Sequence, residues 1–154
     1  MNREKHRLTA EDYSYVLPDH WIIPEETIWE IMRQAYARRV VELVKGSGAR
    51  SVLEIGCGDG WNCCQFVEAG LEKIVGVDWS RNGIDHARRM VPKAEFYCGD
   101  TRDEDFMRKF SKPFGALAMV EVIEHIPPED CVAVLQNLLP LLEPGGRFVL
   151  TTPS

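Results

Sequence analysis

Residues 51–60, SVLEIGCGDG, constrain this chain more than any other stretch. The apolar run Val52-Leu53-Glu54-Ile55 reads as a strand of a parallel sheet, buried on both faces. It turns through Gly56-Cys57-Gly58-Asp59-Gly60 into a helical stretch that begins near Trp61. Glycines at alternate positions suit a loop that turns tightly and brings bare backbone against a ligand. The helix that follows aims its amide groups and positive dipole end at the same place. Strand, glycine turn and helix together predict a nucleotide-type site at the carboxyl end of a strand.

The rest of the chain repeats that alternation. Ahead of the turn, Pro24 opens a helix with Glu25 and Glu26 in its first turn. Apolar residues then recur at Ile28, Ile31, Met32, Ala35, Val40, Leu43 and Val44, which is helical spacing, until Gly46 and Gly48. After it come a helix over 61–69, a strand over 74–78 ending in Asp78, and a helix over 81–90. A strand over 94–97 leads into Cys98-Gly99-Asp100-Thr101, and a strand over 114–121 runs into Val122-Ile123-Glu124-His125. A helix over 129–142, with Pro140 near its end, a turn at 144–146 and a strand over 147–152 complete the pattern. Such a chain predicts an α/β protein with a Rossmann-like, doubly wound parallel sheet. Residues 24–154 form the domain, and residues 1–23 read as an N-terminal extension. Within the extension, DYSYVLPDHW at 12–21 either closes over a ligand as a lid or plugs a small core.

Composition narrows the setting. The chain has 154 residues, 45% hydrophobic and 27% charged, enough for one domain with a proper core. No apolar run is long enough to span a membrane, and no signal-peptide pattern opens the chain. The five cysteines lack metal-ligand spacing, which fits reduced thiols and a cytoplasmic protein. A net charge of −6 argues against an extended nucleic-acid groove but leaves room for a local basic site.

The acids are the next signal. Glu54 stands two residues before a G-x-G-x-G loop, whereas the dinucleotide fingerprint is G-x-G-x-x-G. Asp78, at the tip of the neighbouring strand, either accepts both ribose hydroxyls or caps the next helix, a job Ser80 can do instead. Trp79 can lay its face along an adenine. With the later segments, this pattern resembles the class I S-adenosylmethionine-dependent methyltransferases over residues 52–153. Five signatures come in order: the glycine loop, Asp78, Gly99-Asp100, Glu121-x-x-Glu124-His125, and PGGRFVLTTP. The resemblance implies a strand order of 3-2-1-4-5 and S-adenosylmethionine, or its product S-adenosylhomocysteine, as cofactor. It implies cofactor contacts from Glu54, Gly56, Cys57, Gly58, Gly60, Asp78, Trp79, Asp100, Thr101 and Glu121, with Asp100 receiving the adenine amino group. It also implies a final helix and further strands that this sequence does not contain. The expectation is a truncated form of the fold whose fifth strand is an exposed edge, open to a second copy or a partner.

Methyl transfer from a sulfonium requires alignment and sometimes a base. The candidates are Glu121, Glu124 and His125, which share a face if the segment after the fourth strand coils. Two carboxylates and an imidazole have the character of a divalent-metal site. The segment is similar to ubiquinone-biosynthesis O-methyltransferases and to small-RNA 3′-terminal 2′-O-methyltransferases. Metal ligation, a metal-free base or pocket role for His125, and plain packing remain alternatives. The functional expectation is O-methylation of a small molecule or of an RNA 3′ end. The alternatives are a non-catalytic cofactor-binding module, or a domain completed by a partner. A nicotinamide-dependent oxidoreductase is disfavoured by the glycine spacing and by Asp100.

Overall fold

β1 (Ser51–Ile55), β2 (Lys73–Asp78), β3 (Glu95–Cys98), β4 (Phe114–Val120) and β5 (Leu142–Thr151) pair in parallel in the order β3-β2-β1-β4-β5. This is a computed structural model, and it describes residues 15–24 and 27–153. The order and the class are those expected. β1 is central: Leu53 lies opposite Val75 of β2 on one side and Leu117 of β4 on the other.

Helices cover both faces, which is why the strands read as unbroken apolar runs rather than alternating ones. On one face Val52, Ala116, Ala118 and Val149 pack under α1 (Ile28–Gly46), α2 (Trp61–Glu68) and α3 (Arg81–Met90). On the other, Leu53, Ile55, Leu117 and Met119 meet α4 (Glu104–Met107) and α5 (Pro128–Leu138). Phe66 on the first face and Leu53, Leu117 and Leu138 on the second are fully buried, so each face of the sheet has its own core. The short α4 was not anticipated from periodicity; Asp103 caps it by accepting the Asp105 and Phe106 amides.

Three boundaries differ from expectation. α1 begins at Ile28, not at Pro24, because Thr27 is its N-cap and accepts the Glu30 amide at 3.2 Å. The expected first-turn Glu25 and Glu26, like the N-terminal stretch 1–14, lie outside the described residues. At the other end α5 stops at Leu138 and tightens into a 3-10 turn over Leu139–Leu141 that holds Pro140. β5 starts at Leu142 and carries Pro144-Gly145-Gly146 inside it, where the register with β4 shifts between Phe114 and Ala116. β5 is a sheet edge, as expected.

The buried face of α1 also differs. Ala37, Val40 and Val44 are buried, but Ile28, Ile31 and Met32 are 62%, 54% and 46% exposed. The first half of the helix overhangs the end of the sheet, and its inward residue there is Glu30, not an apolar one.

Thr27→Ala should therefore cost about 1 kcal/mol of stability in denaturant unfolding. An effect under a few tenths would mean the helix does not start there.

Candidate functional site

A cavity of about 1360 Å³ opens at the carboxyl ends of β1 and β4, where the strand order reverses. That is where open α/β sheets leave a crevice. Gly56, Cys57 and Gly58 of the glycine turn form its floor. Asp78 and Trp79 stand at the tip of β2, and Asp100 and Thr101 follow β3. Glu121 and His125, past β4, form the far wall.

Two glycines keep the floor open. Gly56 and Gly58 have φ of +71° and +51°, in the left-handed region. A Cβ on Gly58 would lie 2.3 Å from the Tyr15 hydroxyl, and one on Gly56 would lie 2.3 Å from a Val122 methyl. Side chains at these two positions are thus excluded, and Tyr15 and Val122 pack against the glycine backbone instead. The turn is held by Asp78, whose Oδ2 accepts the Gly58 amide and whose Oδ1 accepts the Ser80 amide, each at 2.8 Å. Ser80, not Asp78, caps α3 through its hydroxyl, which accepts the Gly83 amide. These features fit an adenosine-bearing cofactor: a floor any Cβ would fill, and carboxylates at two neighbouring strand tips to accept hydroxyl and amino donors.

The second carboxylate is already engaged. The Asp100 oxygens accept from the Arg102 Nε at 2.9 and 3.0 Å and from its Nη2 at 2.6 Å. Burial pushes the Asp100 carboxyl up, but the Arg102 hydrogen bonds and charge outweigh it and hold the group below the usual aspartate range. Arg102 also donates to Asp130 of α5 at 3.1 Å, and Asn137 donates to the Thr101 and Arg102 carbonyls. The loop after β3 is pinned to α5 by these contacts.

The described part of the N-terminal extension lies against the turn. His20 donates its amide to Asp59 Oδ2 at 3.0 Å, and its Nδ1 meets Oδ1 at 2.9 Å. Trp21 Nε1 donates to the Asp59 carbonyl. Arg33 of α1 donates to the His20 carbonyl, pairs with Glu30, and stacks 3.8 Å over the Trp61 ring. Tyr15, His20, Trp29, Met32 and Tyr36 thereby complete the cavity wall. No sequence signal pairs His20 with Asp59, 39 positions away. Thr27-x-x-Glu30, a capping-box pattern, could have located the helix start.

Three expected residues are not on the wall. Gly60 caps α2 beneath it. Glu54 is 1% exposed and lies behind the turn, where its Oε2 accepts the Cys63 thiol at 2.9 Å. Glu124 is exposed and is not among the lining residues. The expected trio of Glu121, Glu124 and His125 does not converge: among the described residues no group of three His, Cys, Asp or Glu side chains could hold a metal ion. Two features prevent it. The segment winds as a 3-10 turn over Ile123–His125 rather than an α turn. Glu121, with φ +54°, is turned toward β5, where its Oε1 accepts the Thr151 hydroxyl at 2.8 Å.

Residues 28–154 match the family model described as methyltransferase domain. A probable S-adenosylmethionine-dependent methyltransferase of Mycolicibacterium smegmatis is 24% identical over 135 residues, 86% of this chain and 48% of that protein. A ubiquinone biosynthesis O-methyltransferase of Bradyrhizobium sp. is 36% identical over 110 residues, 69% of this chain and 40% of that protein. The chain thus spans less than half the length of either relative. The crystal structure of the N-methyltransferase NodS from Bradyrhizobium japonicum, in complex with S-adenosyl-L-homocysteine, superposes with a TM-score of 0.74 at 18% identity. It covers 92% of this chain and 71% of NodS. The chain belongs to the class I S-adenosylmethionine-dependent methyltransferase family, with the Rossmann-like sheet of that class.

The buried acid yields a test. Burial raises the Glu54 carboxyl to about 7, with hydrogen bonds from Cys63 and Asn62 opposing it. A raised folded-state value favours folding below the ordinary carboxylate range, and that contribution is lost as pH rises through about 7. The loss amounts to about 3 kcal/mol. Glu54→Gln keeps an acceptor for Cys63 and should flatten the fall in stability between pH 5 and 8. Parallel profiles for the two proteins would contradict the assignment.

Proposed function

We propose that this domain transfers a methyl group from S-adenosylmethionine to the oxygen of a small acceptor held in the same cavity. The observation that carries the reading is the floor and its two acids. The glycine turn, Asp78 and Asp100 meet around one space at adjacent strand tips. In this reading the Gly56–Gly58 backbone faces the methionine and sugar, and Asp78 takes the ribose hydroxyls, held ready by its two backbone donors. Trp79 lies along the adenine, with Asp100 and Thr101 at its amino edge. Glu54 acts from behind, through Asn62 and Cys63. The segment 15–23 serves as a lid. The five cysteines are free, which supports a reducing, cytoplasmic setting. No helix is long and apolar enough to cross a membrane among the described residues.

The cofactor supplies an electrophilic methyl group, and the protein aligns the acceptor oxygen with it. His125, at the far wall, takes the acceptor's proton as general base. Glu121, held by Thr151, orients the acceptor. Since the acids past β4 do not converge, no step runs through a metal. A small molecule is favoured over an RNA end by the wall itself. Trp29, Met32 and Tyr36 make it apolar, and its acids Asp78, Asp100, Glu121, Glu129 and Asp130 outnumber its cations Arg33 and Arg102, which disfavours phosphates.

Two measurements check this. Calorimetric titration should give saturable binding of S-adenosylhomocysteine and none of NAD, and Asp78→Ala should weaken the former by roughly 2–4 kcal/mol. Unchanged affinity in that variant would remove Asp78 from the ribose. In methyl-transfer assays over small phenols and RNA ends, His125→Ala should lower kcat about 10²-fold with little change in KM. Activity should persist in excess chelator. Activity lost to chelator and restored by magnesium or manganese would mean the acids rearrange around a metal.

A further inference from the structure

We infer that His20 and Asp59 form a latch that holds residues 15–24 closed over the glycine turn and sets how long the cofactor stays bound. The inference rests on the cofactor reading above. Asp59 is a fully buried carboxylate inside the turn. A buried charge is costly unless it is hydrogen-bonded, and both its oxygens are met by His20, in the extension. An ionised carboxylate only accepts, so His20 Nδ1 carries the proton in this contact. The turn thus borrows its satisfaction from a segment remote in sequence, and that segment in turn supplies cavity wall through Tyr15, His20 and Ile23. The Tyr15 hydroxyl rests where a Gly58 side chain would be. The segment also reaches α3, where the Tyr15 carbonyl meets His86 Nε2 at 3.2 Å. Opening it therefore exposes the floor, and the His20–Asp59 contact is the charge-assisted part of what resists opening.

The groups around His20 give the latch a pH dependence of defined sign. Asp59 faces it from the turn, Arg33 from α1, Asp19 from its own segment, and Glu54 from β1; the Tyr15 ring lies 6.3 Å away. The Asp59 hydrogen bond raises the His20 imidazole above its ordinary value, against burial and the Arg33 charge. The charged latch is complete below the ordinary imidazole value and weakens as pH rises through the raised one.

The test uses the full chain with S-adenosylhomocysteine. Its dissociation rate is followed by tryptophan fluorescence during displacement, from pH 6 to 9. The unaltered protein should release it about 3–10-fold faster at the upper end. His20→Ala should release it about 10-fold faster at pH 6 and show no pH step. His20→Gln, which keeps a donor, should fall between them and also lack the step. Glu54→Gln should keep the step, which separates the two titrations. Hydrogen exchange of the His20 and Trp21 amides in the ligand-free protein supplies a second reading, and both should exchange about 10-fold faster in His20→Ala. Rates and a pH profile unchanged in His20→Ala, with unchanged exchange, would overturn the latch. Absence of saturable binding by the unaltered chain would instead overturn the cofactor reading and the latch's role in retention, leaving exchange to judge the contact itself.

Discussion

The cavity depends on the carboxylate of Asp78. It is 6% exposed and stands at the tip of β2, where an unsatisfied charge would destabilise the fold. Its two oxygens accept the amides of Gly58 and Ser80, one in the turn after β1 and one at the start of α3. One buried acid therefore fixes two neighbouring strand-to-helix connections at once. The left-handed backbone of Gly56 and Gly58 is stable because this anchor and the packing of Tyr15 and Val122 hold it from both sides.

The other buried polar residues extend the same logic. Glu30, Glu54, Asp59, Asp78 and Ser80 are the buried polar or charged side chains among the described residues, and the contacts of each lead back to the glycine turn. Glu54 supports it from behind through Cys63, and Asp59 ties it to His20. Glu30 holds Arg33, which reaches the His20 carbonyl and stacks on Trp61 at the start of α2. Elsewhere the core is apolar on both faces of the sheet. The polar interior is thus concentrated around the place where a ligand would sit, which is where low dielectric makes hydrogen bonds strongest.

The two ends of the cavity are built differently. The end under the glycine turn is made of strand tips and short turns, so its geometry follows from the sheet. The opposite end is made of the exposed half of α1 and the 3-10 turn after β4, elements that no strand register constrains. Methyltransferases for oxygen and for nitrogen acceptors are both among the relatives and likenesses.

The sequence by itself determined the sheet, because apolar runs of four to seven residues bounded by glycine and acids have few ways to be buried. It also placed the turn and the acids at Asp78 and Asp100, since local spacing carries both. It did not determine which face of α1 is buried. Ile28, Ile31 and Met32 satisfy helical periodicity, yet they overhang the sheet's end and stay exposed, while Glu30 turns inward to Arg33. Nor could spacing show that Glu121 turns to Thr151, because that depends on β5 lying beside β4. The His20–Asp59 contact was likewise invisible, since it joins segments 39 positions apart. Local pattern dictates which elements form. Long-range packing decides which polar groups must find partners across them, and those partners only the tertiary structure could name.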